Sequence, residues 1–576
     1  MGLKWPDGSY KGGIEYEAKG KCPEQGCLDA SNITFDLPDG ELEHIPTEGP
    51  VLIVSNHPYG MADGLLQSVL MQTVRADSKQ FVNKALSVFP LLNRRYITVD
   101  LTESPSSAAT NQNALREAME WLQDGHALGI FPSGTVSHRT WQSKEILDPA
   151  WSLSTILLAR RAKATIVPMH FGGHNPWWFQ MAGLISSRLR TFLISRAFGA
   201  IWNRTIPIRI GRPIPAKTLG LIKDRDAAIG YLRSRVYMMA DAADKIMHSN
   251  TNLQHTDVDQ PTATSPSSNE RLAREVQSLG ADSILCSSGD FEVYISSADE
   301  MSGLLEEIGR LREISFRAVG EGSGNDLDLD IYDPHYHHLF VWSRSNKEIV
   351  GAYRVGLTDK ILPAHGLDGL YTRTLFDYDE RLLDHLGPSL ELGRSFIRPE
   401  YQRTFKPLML LWRGISTFAA LERRYRHAFG VVSISEEYHA RSKRLITDYL
   451  LRTRFDQELA KVTTARTPYQ AGEAPGVDFE ALLAGCKSIE DVDELVQDIE
   501  QDHRPVPVLV RQYLKLDARL IAAFNVDAAF SNVVDGLMLV DFMRVERRIA
   551  HFYLGKELAG AFREANGFDP TFGRED

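Results

Sequence analysis

The stretch that decides the fold of the first half of the chain runs from Pro50 to Gly64 and reads PVLIVSNHPYGMADG. Its apolar start is typical of a buried strand, and the proline and glycines that follow are typical of a turn. Two further apolar runs, at 126–131 and 165–171, are separated from the first by a helical pattern that ends at Gly125. This alternation of strands and helix predicts an α/β domain.

His57 directly follows the predicted strand, and Asp63 lies where the next helix is expected to start. Side chains that follow strands often line ligand sites. A carboxylate that holds one ring nitrogen of a histidine leaves the other nitrogen free to take a proton from an alcohol. The pair is therefore a candidate base with its orienting partner. In the alternative interpretation Asp63 only caps the helix and His57 is a polar strand end.

Two more blocks follow the other strands: FPSGT at 131–135 and Val167-Pro168. In this order the three blocks resemble the glycerolipid acyltransferases of the lysophosphatidate-acyltransferase type, over roughly residues 45–220. The resemblance implies acyl transfer from an acyl-carrier-protein or coenzyme-A thioester to a lipid hydroxyl. The residues that it implicates are His57 as base, Asp63 as its partner, and Ser133, Gly134 and Thr135 as substrate contacts. The chain differs from the usual family pattern at two points. Five residues separate His57 from Asp63 where the family commonly has four, and Ser133 occupies the position where the family usually has Glu.

The net charge of −11 hides an uneven distribution. Residues 1–250 hold 27 Lys and Arg against 23 Asp and Glu, whereas the rest of the chain holds 37 against 52. No acidic residue lies between Asp148 and Asp224. Within this gap, residues 177–202 mix aromatic, aliphatic and arginine side chains, as expected of a helix on anionic lipid. An ordinary core helix with a basic outer face is the alternative.

We expect this basic stretch to contact an acidic acyl carrier protein or an anionic membrane surface. The arginines proposed for this contact are Arg188, Arg190 and Arg196. No nucleic-acid-binding motif accompanies the charge, so nucleic acid is not an expected partner.

The second half begins after a segment rich in Ser, Thr, Pro and Asn, which predicts a flexible linker. Beyond it, strand patterns at 291–295, 338–342, 349–355 and 428–435 and helical patterns at 297–316 and 408–425 predict a second α/β or α+β domain. The expected boundaries are an N-terminal extension at 1–45, a first domain at 46–249, the linker at 250–275 and a second domain at 276–576.

Two polar segments of the second half carry candidate site residues. The first, Asp326–Asp333, holds four acidic residues without the spacing of a calcium loop. It is either a solvated loop or a cluster that attracts a cationic amino acid. The second is Glu391-Leu392-Gly393-Arg394, in which strand alternation places Glu391 and Arg394 on opposite faces. Glu391 is a candidate for removing the proton of an attacking amine, with a surface ion pair to Arg394 as the alternative.

These blocks, preceded by Phe316-Arg317, resemble the ornithine N-acyltransferase family, a branch of the Gcn5-related fold. The resemblance covers residues 290–450 and two later segments, 506–509 and 513–516. It implies that Glu391 is catalytic, and we expect Asp330, Asp333 and Arg394 to contact the substrate. The segment 402–407 lacks a glycine-rich pyrophosphate loop, which argues against acetyl-coenzyme A. Three cations remain for a phosphopantetheine arm or a carrier protein: Arg398, Arg403 and Lys406.

The fused arrangement resembles the bifunctional ornithine-lipid synthases of bacteria. It implies that the second domain joins a 3-hydroxyacyl chain from acyl carrier protein to ornithine, giving lyso-ornithine lipid. The first domain would then acylate the 3-hydroxyl of that product. One alternative is an acyltransferase for lysophospholipid or for another amino acid, such as glycine, glutamine or lysine. Another is a membrane-active protein without enzymatic activity.

The composition indicates the cellular compartment in which the protein works. Four cysteines in 576 residues favour a reducing compartment, and Cys22 and Cys27 have no second Cys or His pair that would complete a zinc site. The sequence shows neither a signal-peptide pattern nor 18 consecutive apolar residues. We therefore expect a cytoplasmic protein, peripheral on the inner face of the cytoplasmic membrane, with no metal and no bound cofactor.

Overall fold

The computed structural model describes residues 7–84, 95–100, 107–141, 145–185, 187–240, 269–319, 322 and 324–567. The chain divides into two compact units, and each is described by itself. The first unit comprises Met1–His255 and Glu473–Pro505, and the second comprises Thr256–Gly472 and Val506–Asp576. Both units combine helices with a sheet, so the predicted α/β class is confirmed.

Helices of the described residues are numbered in chain order. They are α1 Asp7–Ala18, α2 Pro23–Ala30, α3 Met61–Val74, α4 Ser107–Gln123, α5 Ser154–Ala162, α6 Trp177–Ile185, α7 Ser187–Ala200, α8 Ala216–Leu221, α9 Arg225–Tyr237, α10 Asn269–Ser278, α11 Ser302–Arg317, α12 Thr358–His365, α13 Glu380–Leu386, α14 Lys406–Glu422, α15 Ala440–Thr453, α16 Phe479–Ala484, α17 Ile489–Ile499, α18 Val508–Lys515 and α19 Arg547–Ala565. The predicted helix at 297–316 corresponds to α11, and that at 408–425 to α14.

Strands are numbered in the same way. They are β1 Thr34–Asp36, β2 Val51–Ser55, β3 Ser78–Asn83, β4 Tyr96–Val99, β5 Ala127–Ile130, β6 Thr165–Phe171, β7 Thr205–Ile210, β8 Ile284–Ser288, β9 Phe291–Ser297, β10 His337–Ser343, β11 Glu348–Leu357, β12 Phe376–Tyr378, β13 Ser389–Ile397, β14 His427–Ile434, β15 Thr463–Ala465, β16 Arg519–Leu520, β17 Asn525–Asp527 and β18 Val533–Asp541. The three strands predicted in the first half are β2, β5 and β6.

The sheet of the first unit has seven strands in the order β1-β7-β6-β2-β5-β3-β4. Its central strand, β2, runs parallel to both β5 and β6, and all five of its residues are buried. A parallel strand covered on both faces reads as a continuous apolar run, which is why VLIV shows no alternation. The loops that follow β2 and β5 therefore leave the sheet at the same edge.

Two segments outside the predicted first domain are part of the first unit. Strand β1, from the expected N-terminal extension, pairs with β7 from Thr34 to Asp36. Residues 473–505, which the sequence assigns to the second domain, carry the buried Asp498 on α17. The Asp498 carboxylate accepts a hydrogen bond from Arg235 at 2.7 Å, and its carbonyl accepts one from Arg209 at 3.0 Å. These charged contacts hold the segment against the first unit.

The predicted linker overlaps residues 241–268, which lie outside the described residues. Its last part differs from the expectation because α10 begins at Asn269. Leu272 and Val276 of α10 are buried in a hydrophobic cluster that also contains Leu304 and Ile308 of α11. The apolar spacing of a short amphipathic helix therefore outweighs the polar composition of the residues around it.

The sheet of the second unit has the order β16-β18-β14-β13-β11-β10-β9-β8, with β17 also paired to β18. Strands β13 and β14 are parallel and pair from Ser389↔His427 to Leu392↔Gly430. Beyond this point β13 pairs with β11 through Ile397, while β14 pairs with β18 through Ile434. The two central strands thus separate directly after Leu392, one residue beyond Glu391, which faces Phe429 in the last pair but one.

Candidate active sites

The first site lies where β2 and β5 end. His57 Nδ1 and Asp63 Oδ2 are 3.2 Å apart. Asp63 is fully buried, and its carboxylate also accepts backbone hydrogen bonds from Tyr59 at 2.9 Å and Gly60 at 3.2 Å. The helix-capping and orienting interpretations of Asp63 therefore describe the same carboxylate. It caps the first turn of α3 and holds the His57 ring.

The His57 ring is held on its second side by Phe131, with ring centroids 4.1 Å apart and the planes inclined by 24°. The side chain is 16% exposed, and Nε2 has no hydrogen-bond partner within the described part of the chain. Burial lowers the pKa of His57, but the charge and hydrogen bond of Asp63, with the charge of Asp148, outweigh it and leave this pKa above its ordinary value. Nε2 is thus placed to accept a proton from a bound hydroxyl.

The FPSGT block forms the turn after β5. The Ser133 hydroxyl donates to the Thr135 carbonyl at 2.8 Å, and Gly134 has a φ of 63°, the left-handed conformation that favours glycine. Thr135 Oγ1 accepts a hydrogen bond from Arg190 at 3.3 Å. Arg190 is only 9% exposed, so it lies beside this turn and not on the solvent surface where we expected it.

Two residues without a role in the sequence analysis support this site. The Asn56 side chain exchanges two 2.8 Å hydrogen bonds with the backbone of Phe171 and so ties the end of β2 to the end of β6. Buried Asp148 accepts from the His57 amide at 3.1 Å and from Ser137 at 2.5 Å. The sequence offers no signal for Asp148, because it is 91 residues from His57 along the chain.

Helices α6 and α7 form an exposed apolar and basic surface. Trp177, Ile185 and Phe192 are 75%, 77% and 63% exposed, and Met181 and Leu189 are also exposed. The Arg196 guanidinium is exposed and lies 5.6 Å from the centre of the Trp178 ring. The side chain of Arg188 lies outside the described residues. Among the described helices, none combines the length and the apolarity that a bilayer-crossing segment needs.

The second site surrounds Glu391, which is 2% exposed. Its carboxylate accepts hydrogen bonds from the Tyr336 hydroxyl, from the Tyr371 amide at 3.3 Å and from the Thr372 amide at 2.7 Å. Burial and the neighbouring Glu391 charge hold the pKa of Tyr336 well above its ordinary value. Glu391 forms no ion pair with any described residue, so the surface-pair alternative does not describe it.

A closed network of charges lies next to Glu391. Asp328, Asp330 and Asp333 each contact two arginines, and the three arginines are Arg312, Arg354 and Arg394. The shortest of these contacts joins Arg354 to Asp330 at 2.5 Å. Burial raises the pKa of Asp333, but the charges of Arg312 and Arg354 outweigh it and hold this pKa well below its ordinary value. Three of the four carboxylates of the acidic loop are therefore paired with arginines of the second unit, and Asp326 is exposed.

Arg394 reaches this network because the strand is irregular there. Its φ of 49° is left-handed, and the β11–β13 register shifts between Ala352 and Arg354. As a result Arg394 lies over the Tyr371 ring, 4.9 Å from its centre, while Glu391 accepts from the Tyr371 amide. The simple alternation predicted from the sequence does not hold across this bulge. Glu391 and Arg394 both reach Tyr371.

The three cations expected to contact a carrier differ in their surroundings. Arg398 is paired with Glu348 at 2.5 Å and with Glu400 at 3.3 Å. Arg403 and Lys406 are exposed just before and at the start of α14, and the Lys406 ammonium lies 5.2 Å from the centre of the Phe291 ring. Arg403 and Lys406 therefore remain available to an anionic partner, whereas Arg398 already has partners.

Comparison with known proteins shows that both halves of the chain are similar to acyltransferases. Residues 39–172 match the family described as "Acyltransferase", and residues 311–413 match the family described as "Acetyltransferase (GNAT) domain". The chain is 31% identical over 276 residues to a glycine N(alpha)-acyltransferase of Bacteroides thetaiotaomicron, which covers 45% of this chain and 80% of that protein. This chain belongs to the same family of acyltransferases. The two-domain acyltransferase resemblance found in the sequence is confirmed.

A second acyltransferase matches the other half of the chain. A lyso-glycine lipid O-acyltransferase of the same organism is 29% identical over 205 residues, or 34% of this chain and 73% of that protein. Among solved structures, the 1-acyl-sn-glycerophosphate acyltransferase PlsC of Thermotoga maritima is similar over 41% of this chain and 78% of its own, with 17% identity and a TM-score of 0.25. Because the chain is an acyltransferase, the alternative without enzymatic activity is set aside.

Proposed function

We propose that this acyltransferase makes an amino-acid lipid in two steps, one in each unit. The supporting observation is that one chain carries both domains, and that their relatives are named for N-acylation of an amino acid and for O-acylation of the resulting lyso-lipid. In the first step the amine attacks a 3-hydroxyacyl thioester. An amide forms, the thiol leaves and the amine loses a proton.

In the second step the 3-hydroxyl of the lyso-lipid attacks another acyl thioester. His57 Nε2 takes the hydroxyl proton as the ester bond forms, and then returns a proton to the departing thiolate. Asp63 acts as a positioning residue, because it holds Nδ1 at 3.2 Å and stabilises the protonated ring. This division makes His57 the catalytic residue of the first unit.

The choice of amino acid depends on the charge network beside Glu391. The family resemblance implies ornithine, and an acidic cluster at the site would attract its cationic side chain. That support is weakened, since Asp328, Asp330 and Asp333 are each contacted by two arginines. A neutralised cluster favours an amino acid without a charged side chain, and the matched N-acyltransferase is named for glycine. We therefore propose glycine as the preferred acceptor and keep ornithine as the competing one.

A competition assay decides between these acceptors. The purified chain is given 3-hydroxyacyl-acyl carrier protein with equal concentrations of glycine and ornithine, and products are measured by mass spectrometry. We expect the glycine product to exceed the ornithine product by about 10-fold or more, because an unpaired ammonium near a neutral buried network loses hydration without a new partner. Excess ornithine product would reverse the assignment. Absence of any N-acylated amino acid would refute the proposed function.

The acyl donor is proposed to be a thioester of acyl carrier protein, with coenzyme A as the alternative. Beyond Leu392, β13 and β14 no longer pair, so their facing backbone groups are available to an extended amide-containing arm such as phosphopantetheine. The exposed Arg403 and Lys406 lie at the start of α14, where an acidic carrier surface would be attracted. Comparing kcat/KM for the two donors with the same acyl chain tests this proposal.

The proposed pH dependence of O-acylation follows from the environment of His57. The base must be unprotonated, so kcat/KM should rise with pH and reach its half-maximum above the ordinary histidine value of about 6.5. Replacement Asp63→Asn removes the charge that raises this pKa and leaves the lowering effect of burial. We expect the midpoint of the rate profile to move to lower pH in the variant. An unchanged midpoint would show that another group titrates.

We also propose that α6 and α7 bind an anionic membrane surface. Trp177, Ile185 and Phe192 can insert at the headgroup level, while Arg196 and the surrounding acid-free stretch attract anionic lipids. This would place the protein on the inner face of the cytoplasmic membrane.

Vesicle sedimentation tests the membrane proposal. The triple replacement of Trp177, Ile185 and Phe192 by Ser removes about 300–500 Å² of exposed apolar area and should reduce binding to anionic vesicles by at least about 10-fold. A matched control replaces the exposed Leu221, on α8, by Ser. Equal binding by the wild type and the triple variant would contradict the proposal.

A further inference from the structure

Arg190 is a buried cation that pairs with no carboxylate in the described part of the chain. Its side chain is 9% exposed, and its one hydrogen bond to a described residue goes to Thr135 Oγ1 at 3.3 Å. No carboxylate of the described residues lies within ion-pair distance, and no acidic residue exists anywhere from 149 to 223. Burial alone lowers the pKa of the guanidinium, with no opposing acidic charge. Other buried arginines of the first unit, such as Arg209 and Arg235, each contact a carboxylate.

Arg190 lies beside the His57 site. The Ser137 amide donates to the His57 carbonyl at 2.7 Å, and Thr135 is only two residues before Ser137. The Phe131 ring at the start of the same turn stacks on the His57 ring, with centroids 4.1 Å apart, so both ends of the turn that carries Thr135 contact His57. Because Arg190 donates to Thr135, its guanidinium lies on the turn that borders the His57 ring. A desolvated cation at this place is costly unless a ligand supplies the anion.

The chemistry of the proposed acceptor supplies such an anion. Acylation converts the amine of an amino acid into a neutral amide. The α-carboxylate of that amino acid is then its remaining charged main-chain group. This carboxylate is separated from the carbon that bears the 3-hydroxyl by roughly five bonds, or about 6 Å when extended. With the hydroxyl held at His57 Nε2, the carboxylate therefore stays within the same site, which the turn carrying Thr135 borders.

The other anion available is the phosphate of a phosphopantetheine arm. That phosphate lies about a dozen bonds from the thioester sulfur, well over 10 Å when extended, and therefore away from the reacting carbonyl. A cation on the turn that borders the His57 ring therefore suits the shorter acceptor. We propose, on the basis of the function proposed above, that Arg190 binds the acceptor carboxylate and selects lyso-lipids that carry one.

Paired acceptors test this inference. O-acylation is measured with N-(3-hydroxyacyl)glycine and with its methyl ester, which has the same shape without the charge. For the wild type we expect kcat/KM to be at least about 10-fold higher with the acid, as a hydrogen-bonded ion pair in a buried site requires. Arg190→Met should lower kcat/KM for the acid by about 10- to 100-fold and leave the ester nearly unchanged. Arg190→Lys should retain part of the preference.

The controls separate binding from folding. Arg161→Met removes an exposed arginine of α5 and should keep the full preference for the acid. Thermal unfolding of Arg190→Met should resemble that of the wild type. The inference would be overturned if the wild type had equal kcat/KM for the acid and the ester. It would also be overturned if Arg190→Met lowered kcat/KM equally for both. Either result would leave the proposed function intact. A raised KM for the acyl donor alone would assign Arg190 to the donor phosphate and also overturn the inference. A wild type that acylates neither acceptor would refute the proposed function itself.

Discussion

Replacing His57 by Ala should abolish the second acylation and leave the first intact, so that lyso-lipid accumulates in an expressing host. The expected loss of O-acylation is about 10²- to 10⁴-fold, the usual contribution of a positioned general base. The variant lacks the imidazole ring that Asp63 and Phe131 hold in place. In the described part of the chain, Nε2 of this ring has no hydrogen-bond partner. Mass spectrometry of extracted lipids measures both species at once.

The first step serves as the internal control for this variant. N-acylation by His57→Ala should equal that of the wild type, because His57 belongs to the other unit. His551→Ala, on α19 of the second unit, provides a matched histidine control that should make the complete lipid. Normal amounts of the diacylated product from His57→Ala would show that His57 is not the base.

Replacing Glu391 by Ala should remove both products, because the second step then lacks its substrate. Part of this effect is structural, since the Tyr336 hydroxyl and the amides of Tyr371 and Thr372 lose their acceptor. Each buried donor left without a partner costs about 1–3 kcal/mol. Glu391→Gln keeps an oxygen acceptor and the side-chain shape, and it should lower N-acylation by about 10²- to 10⁴-fold.

A comparison of Glu391→Gln with Glu391→Ala separates two roles of Glu391. If Glu391 takes the amine proton, directly or through a water, both variants lose N-acylation to a similar extent, because neither new side chain is a base. If it only positions Tyr336 and the 371–372 backbone, Glu391→Gln, which keeps an oxygen acceptor, retains most of the N-acylation that Glu391→Ala loses. Glu380→Gln, an exposed glutamate at the start of α13, should behave as the wild type. Unchanged N-acylation in Glu391→Gln would exclude the role as base.

The first site could be predicted almost entirely from the sequence. A continuous apolar run signals a buried parallel strand, and the carboxyl ends of neighbouring parallel strands must share one edge of the sheet. His57 and the FPSGT turn follow β2 and β5, so their meeting is a consequence of local sequence and topology. Asp148 was not predictable, because its approach to His57 depends on how a distant loop packs.

The second site was predicted less completely. The acidic residues of 326–333 were visible in the sequence, but their partners were not. Arg312 lies on α11 and Arg354 and Arg394 lie on separate strands, and only the packing of these elements brings the charges together. A free carboxylate attracts a cationic ligand, whereas a carboxylate paired with arginine is already neutralised. This pairing therefore changes the expected substrate from a cationic amino acid to one without a charged side chain.

The sequence by itself determined the α/β class, the two acyltransferase domains and the residues His57, Asp63 and Glu391 as candidates for catalysis. These depend on periodicity and on motifs that each occupy a few consecutive residues. The tertiary structure decided which charges are neutralised, that residues 473–505 pack with the first unit through Asp498, and that Arg190 is buried beside Thr135. The physical reason is that the free energy of a charge depends on its burial and on partners distant in the chain, which no local pattern records.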